Sequence, residues 1–79
     1  MTEEELKKVR FNAWHISTKS EGITSYISTD GRLGIIDSVP LDQDGYVKKK
    51  GRAIRHYRID GKVYKSKKKF LEALKDFNP

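Results

Sequence analysis

The apolar positions of this chain are scattered thinly, and their spacing changes from helical to alternating and back to helical. Leu6 and Val9, with Ala13 beyond, sit at helical intervals behind Thr2 and Glu5. Thr–x–x–Glu is a capping box, in which each side chain satisfies a free backbone N–H of the other residue. A helix is therefore predicted within residues 1–10. Glu3, Glu4 and Glu5 lie at the positive end of its dipole, and Lys7, Lys8 and Arg10 toward the negative end. From Phe11 to Thr18 (FNAWHIST) the residues become strand-forming. Lys19-Ser20-Glu21-Gly22 reads as a turn, and Ile23 to Ser28 as a second strand. Asp30-Gly31 is a strong two-residue hairpin signal, and Leu33 to Val39 follows it as a third strand.

Pro40 to Tyr46 (PLDQDGY) carries turn chemistry, and with Lys48-Lys49-Lys50-Gly51 it makes a loop over residues 40–51. The clearest hairpin comes next: Arg52 to Ile59, a turn at Asp60-Gly61, then Lys62 to Lys65. A two-residue turn there pairs Ile59 with Lys62, Arg58 with Val63, Tyr57 with Tyr64 and His56 with Lys65. Side chains alternate between faces. Ala53, Arg55, Tyr57, Ile59, Lys62 and Tyr64 fall on one face, and Arg52, Ile54, His56, Arg58, Val63 and Lys65 on the other. Ser66 caps a last helix within 66–77, whose Phe70, Leu71, Leu74 and Phe77 share one face.

These elements predict one α+β domain over residues 1–79. A small antiparallel sheet of four to five strands spans 11–65, with a short N-terminal helix and a C-terminal amphipathic helix packed on one face. The hairpin face with more apolar bulk, that of Tyr57 and Ile59, is assigned to the helix. The other face is then exposed and cationic. Trp14, Ile16, Ile27 and Ile36 complete the expected core.

Composition narrows the classes. The 79 residues are 35% hydrophobic and 35% charged, leaner in apolar residues than an average domain. So small a chain buries a limited core, and unpaired sheet edges make a homodimer plausible. The absence of cysteine removes disulfide scaffolds, zinc fingers and thiol nucleophiles, and suits a reducing cytoplasm. No apolar run reaches the roughly 20 residues of a spanning helix, and the polar start MTEEELKK is unlike a secretory signal. The expectation is a soluble cytoplasmic protein with no membrane partner.

Charge changes the picture most. Eleven of the seventeen Lys/Arg, but only one acid, Asp60, lie between Lys48 and Lys69. The segment has ten surplus positive charges, the rest of the chain is at −4, and the total is +6. Such asymmetry points to a polyanion. The expected phosphate contacts are Lys48, Lys49, Lys50, Arg52, Arg55, His56, Arg58, Lys65, Lys67, Lys68 and Lys69. Lysine and arginine displace counterions from phosphate, and a two-stranded ribbon also fits a major groove. Tyr57 and Tyr64, cross-strand neighbours, read as core ahead of a stacking platform for bases.

No catalytic constellation is present. His15 and His56 lie outside metal-ligand spacing of any other histidine, and His15, next to Trp14, reads as structural. Asp42-Gln43-Asp44-Gly45 lacks the rest of a calcium loop and reads as a turn. No metal site, cofactor or enzymatic activity is expected.

The segment GRAIRHYRIDGKVYKSKKKFLEAL, a small sheet followed by a packed helix, resembles in element order the arm-type DNA-binding domains of tyrosine recombinases and the AP2-type domains. The likeness covers about the last 30 residues, and the N-terminal helix and additional strands depart from it. It implies a sheet set in a major groove with the helix behind. The leading expectation is a non-enzymatic nucleic-acid-binding accessory protein, with DNA ahead of RNA. The alternative is a small interaction module or inhibitor whose basic surface docks on an acidic patch of a larger protein. Small size and high lysine content are also what accessory proteins of phages and mobile elements show.

Overall fold

A computed structural model of the chain describes residues 1–78. Five strands form one antiparallel meander, β1 (Phe11–Ser17), β2 (Glu21–Ser28), β3 (Leu33–Pro40), β4 (Ile54–Ile59) and β5 (Lys62–Tyr64), in that spatial order. A short helix, α1 (Glu3–Leu6), precedes the sheet, and α2 (Lys67–Leu74) follows it. The hairpins turn where Asp-Gly dipeptides allow left-handed backbone. Gly31 and Gly61 have φ of 77° and 86°, and Asp60 itself reaches 47°. Asp60-Gly61 sets the expected pairing of Tyr57 with Tyr64, Arg58 with Val63 and Ile59 with Lys62, and β5 ends there.

α1 is shorter than predicted. The Thr2–Glu5 capping box forms in both directions, at 3.1 Å each way, but the helix stops at Leu6. Four residues are far below the length at which a helix holds alone. Its support is tertiary, because Leu6 and Val9 pack against the core and Phe11 already belongs to β1. The N-terminal ammonium donates to the carbonyls of Leu74 (2.9 Å) and Phe77 (2.6 Å), tying the start of the chain to the end of α2. Ser66 caps α2 by accepting from Lys69 N at 3.2 Å.

The core lies between α2 and the β3–β5 side of the sheet. Leu33, Tyr57, Ile59, Phe70, Leu74 and Phe77 are buried, with Phe70 and Leu74 1% exposed. The rings of Tyr57 and Phe70 stack at 4.6 Å and 16°. This fulfils the assignment of the Tyr57 face to the helix and makes Tyr57 a core residue. At the hairpin end, Arg32 grips Asp60 with two bonds (2.9 and 3.0 Å), donates to Asn78 O (2.8 Å) and lies 4.2 Å from the Phe77 ring centroid.

The other face of the sheet is uncovered. The register places Asn12, Ile27, Gly34, Arg58 and Val63 in one row across it. Trp14, Ser25, Ile36 and His56 form a second row, and Ile16, Ile23, Ser38 and Ile54 a third. Trp14 is 54% exposed and Ile16 57%, which removes both from the core; Ile27 and Ile36 are only half-buried. The reason is area. An eight-residue helix is about 12 Å long and about 10 Å wide, enough to cover about two strands at about 4.8 Å spacing. One such helix cannot cover both faces of five strands.

Candidate nucleic-acid interface

The basic residues are divided by the fold into groups with different surroundings. Lys65, Lys67, Lys68 and Lys69 cluster where β5 hands over to α2, and all four are exposed. Ser66 starts the helix immediately after a lysine, so three lysines fill its first turn with no acidic residue among them. Cations at a helix N-terminus oppose the dipole. Among the described residues, only Lys67 of these four finds a carboxylate, Glu3 Oε1 at 3.9 Å.

Beside this junction is an open cleft of about 450 Å³, lined by Lys62, Val63, Tyr64, Lys65, Ser66 and Lys69. Three lysines thus line one concavity together with Tyr64 and Ser66, and no carboxylate residue is in the lining. Lys62 Nζ stands 5.5 Å from the Tyr64 ring centroid. Lys62 is not among the expected contacts, and two-residue alternation puts it on the helix-covered face. α2 covers that face at Tyr57 and Ile59, but β5 is the edge strand and Lys62 stays exposed. A cation next to a hairpin turn on an edge strand was the available signal.

A larger groove of about 640 Å³ runs between the N-terminal segment and α2, and it includes Lys68 and Lys75. Glu3 and Glu72 line it too, so its charge is mixed.

Lys48, Lys49, Lys50 and Arg52 lie in the loop beyond the far end of β4, and all are exposed. That loop is built. Leu41 bridges Val47, and Asp42 Oδ1 accepts from Asp44 N (2.9 Å) and Tyr46 N (3.0 Å). Gly51 N donates to Lys48 O at 3.0 Å, and a Cβ at position 51 would collide with the Pro40 ring. None of these four residues lines the cleft at the β5–α2 junction.

His56 and Arg58 are placed apart from both groups, while Arg55 shares an open cleft of about 340 Å³ with Lys7, Lys67 and Glu3. Arg55 faces the helix side and holds Asp37 through two bonds of 2.6 and 2.7 Å. The hydrogen bonds from Arg55 hold the Asp37 carboxyl below its usual range, and in return raise the Arg55 pKa. Its charge is therefore already matched. His56 and Arg58 are half-buried on the open sheet face, within the isoleucine-rich rows. A Cβ at Gly34 would sit 3.5 Å from Arg58 Cβ and Nε, so the arginine stem lies over the bare β3 backbone. The open face of the sheet is thus largely apolar, with His56 and Arg58 set into it. The signal for this lay in Trp14, Ile16 and Ile23, which belong to other strands.

No group of three or more His, Asp or Glu able to hold a metal occurs among the described residues, and none of their helices is long and apolar enough to cross a membrane. No protein family, curated protein or solved structure matches the chain.

Proposed function

We propose that the protein binds nucleic acid through its phosphates, with the β5–α2 junction as the principal contact. The observation that carries this reading is the cleft edged by Lys62, Lys65 and Lys69 with no carboxylate in its lining. Like charges around one concavity repel, and the helix dipole adds to the cost at Lys69. A polyanion relieves both. Lys67 and Lys68 follow Ser66 of the cleft on α2, where each borders a groove of mixed charge with Glu3. Lys48–Lys50 and Arg52 form a second anchor at the other end of β4, suited to an extended ligand and poorly suited to a single small anion. Tyr57 takes no part, being stacked on Phe70.

The test is a pair of triple variants, Lys62→Gln/Lys65→Gln/Lys69→Gln and Lys48→Gln/Lys49→Gln/Lys50→Gln, titrated against labelled duplex. Each phosphate contact contributes about 0.9 to the log–log salt slope on duplex DNA. The first variant is expected to lose about 2 to 3 of that slope and the second less. Unchanged affinity and slope in the first variant would remove the site. Binding to an acidic protein with no binding to nucleic acid would remove the whole reading.

A further inference from the structure

β1 is an edge strand without the usual protection. Its seven residues, FNAWHIS, include no charged residue and no proline, and all but Phe11 are exposed. Natural edge strands are normally blunted by lysine, proline, a bulge or a covering loop. β1 pairs with β2 in unbroken register, so there is no bulge.

The direction of its free backbone groups follows from two bonds at its ends. Thr18 N donates to Glu21 O (2.8 Å), and Thr29 N donates to Arg10 O (3.2 Å). In an antiparallel ladder, hydrogen-bonded and non-bonded pairs alternate. Even-numbered residues from Arg10 to Thr18 therefore bond to β2. Phe11, Ala13, His15 and Ser17 present their N–H and C=O groups outward. Their side chains lie on the α2 side of the sheet, and His15 is held there by Thr24 Oγ1 at 3.1 Å and Ser17 Oγ at 3.3 Å.

We propose that β1 pairs with β1 of a second copy of this chain, antiparallel about a two-fold axis at Trp14. This register sets Ala13 opposite the partner's His15 and Phe11 opposite the partner's Ser17. Every outward N–H and C=O of the strand then meets an outward group. Trp14 meets the partner's Trp14 in a non-hydrogen-bonded pair, the kind in which Cα atoms come closest, at about 4.5 Å. Aromatic cross-strand pairs are among the most stabilising in sheets. This contact accounts for a half-exposed tryptophan at the centre of an uncharged edge. A perpendicular two-fold keeps both open sheet faces on one side. It leaves the two lysine clefts at the outer ends, about 43 Å apart at about 4.8 Å per strand. The inference does not depend on the proposed function. Two chains of +6 repel, so salt strengthens this association and weakens phosphate binding.

The experiment is sedimentation velocity on the full chain across about 1 to 300 µM, the range of small interfaces. It is run on the wild type and on two variants. Ala13→Pro removes an N–H that points away from β2 and so spares the internal ladder. Trp14→Lys places two ammonium groups at the axis and changes only an exposed side chain. The wild type is expected to dimerise, more tightly in higher salt, and Trp14→Lys to associate at least about tenfold more weakly, a change of about 1.4 kcal/mol. Ala13→Pro is expected to do likewise, and if it fails to fold, Trp14→Lys alone decides. A wild type monomeric throughout the range overturns the proposal. So does a folded Trp14→Lys that dimerises as the wild type does.

Discussion

The packing of α2 on the sheet rests on one aromatic contact that can be measured in isolation. Phe70 is 1% exposed, and its ring lies 4.6 Å from that of Tyr57, nearly parallel. Replacing Phe70 with Leu keeps an apolar side chain of related size, at a repacking cost of under about 1.5 kcal/mol. It also removes the ring pair, which is worth about 0.5–1.5 kcal/mol beyond area. Phe70→Leu should therefore destabilise by about 0.5–3 kcal/mol. A chain of this length has about 4–12 kcal/mol in total, so the variant remains folded and measurable, whereas Phe70→Ala, at about 3–5 kcal/mol, approaches the limit. Urea unfolding of Phe70→Leu, Tyr57→Leu and the double variant, followed by circular dichroism, closes a double-mutant cycle. The expected coupling is about 0.5–1.5 kcal/mol with an unchanged m-value. Coupling within about 0.3 kcal/mol of zero, with all four proteins folded, would refute the docking of α2 on β4 through this pair.

Trp14→Ala, despite removing the largest side chain, should cost under about 0.5 kcal/mol in dilute protein, because the ring lies on the uncovered face; a cost that grows with protein concentration would report the second copy. Ser28→Ala should cost about 1–3 kcal/mol in the same urea assay, since Ser28 Oγ accepts from the buried Leu33 N at 3.0 Å and that donor would be left unpaired. Asp37 is held below its ordinary 3.8 chiefly by its hydrogen bonds from Arg55. The stability this adds is present above about pH 3.8 and is lost as pH falls through the lowered folded value. Asp37→Asn should therefore be less stable than wild type at neutral pH, with the difference shrinking below about pH 4. A constant difference across that range would contradict the pairing.

Much of the fold was legible because backbone chemistry spoke for it. Asp30-Gly31 and Asp60-Gly61 marked the hairpins, Thr2 with Glu5 and Ser66 marked helix starts, and the alternation around Tyr57 chose the face that α2 covers. What the sequence could not tell was how much of the sheet one helix covers. Strand periodicity says that Trp14 and Ile16 share a face; it is silent on whether anything lies against that face. The same gap affected the basic residues. Arg55 could be placed on its strand, but its partner Asp37 lies on β3, and only the sheet register brings them together. Alternation assigns Lys62 inward, whereas its position on the edge strand keeps it in solvent beside Lys65 and Lys69. Clustering in sequence identified the basic segment, and the fold sorted it into a lysine cleft, a basic loop, a matched ion pair and two groups set in an apolar face.

The central claim is phosphate binding at the β5–α2 junction. The most direct measurement is the salt dependence of duplex DNA binding by the wild type, beside the Lys62→Gln/Lys65→Gln/Lys69→Gln variant. The account predicts a linear log–log plot with a slope of about −3 to −5 for the wild type, flattened by about 2 to 3 in the variant. No binding by the wild type at about 50 mM salt, or equal slopes for the two proteins, would contradict it.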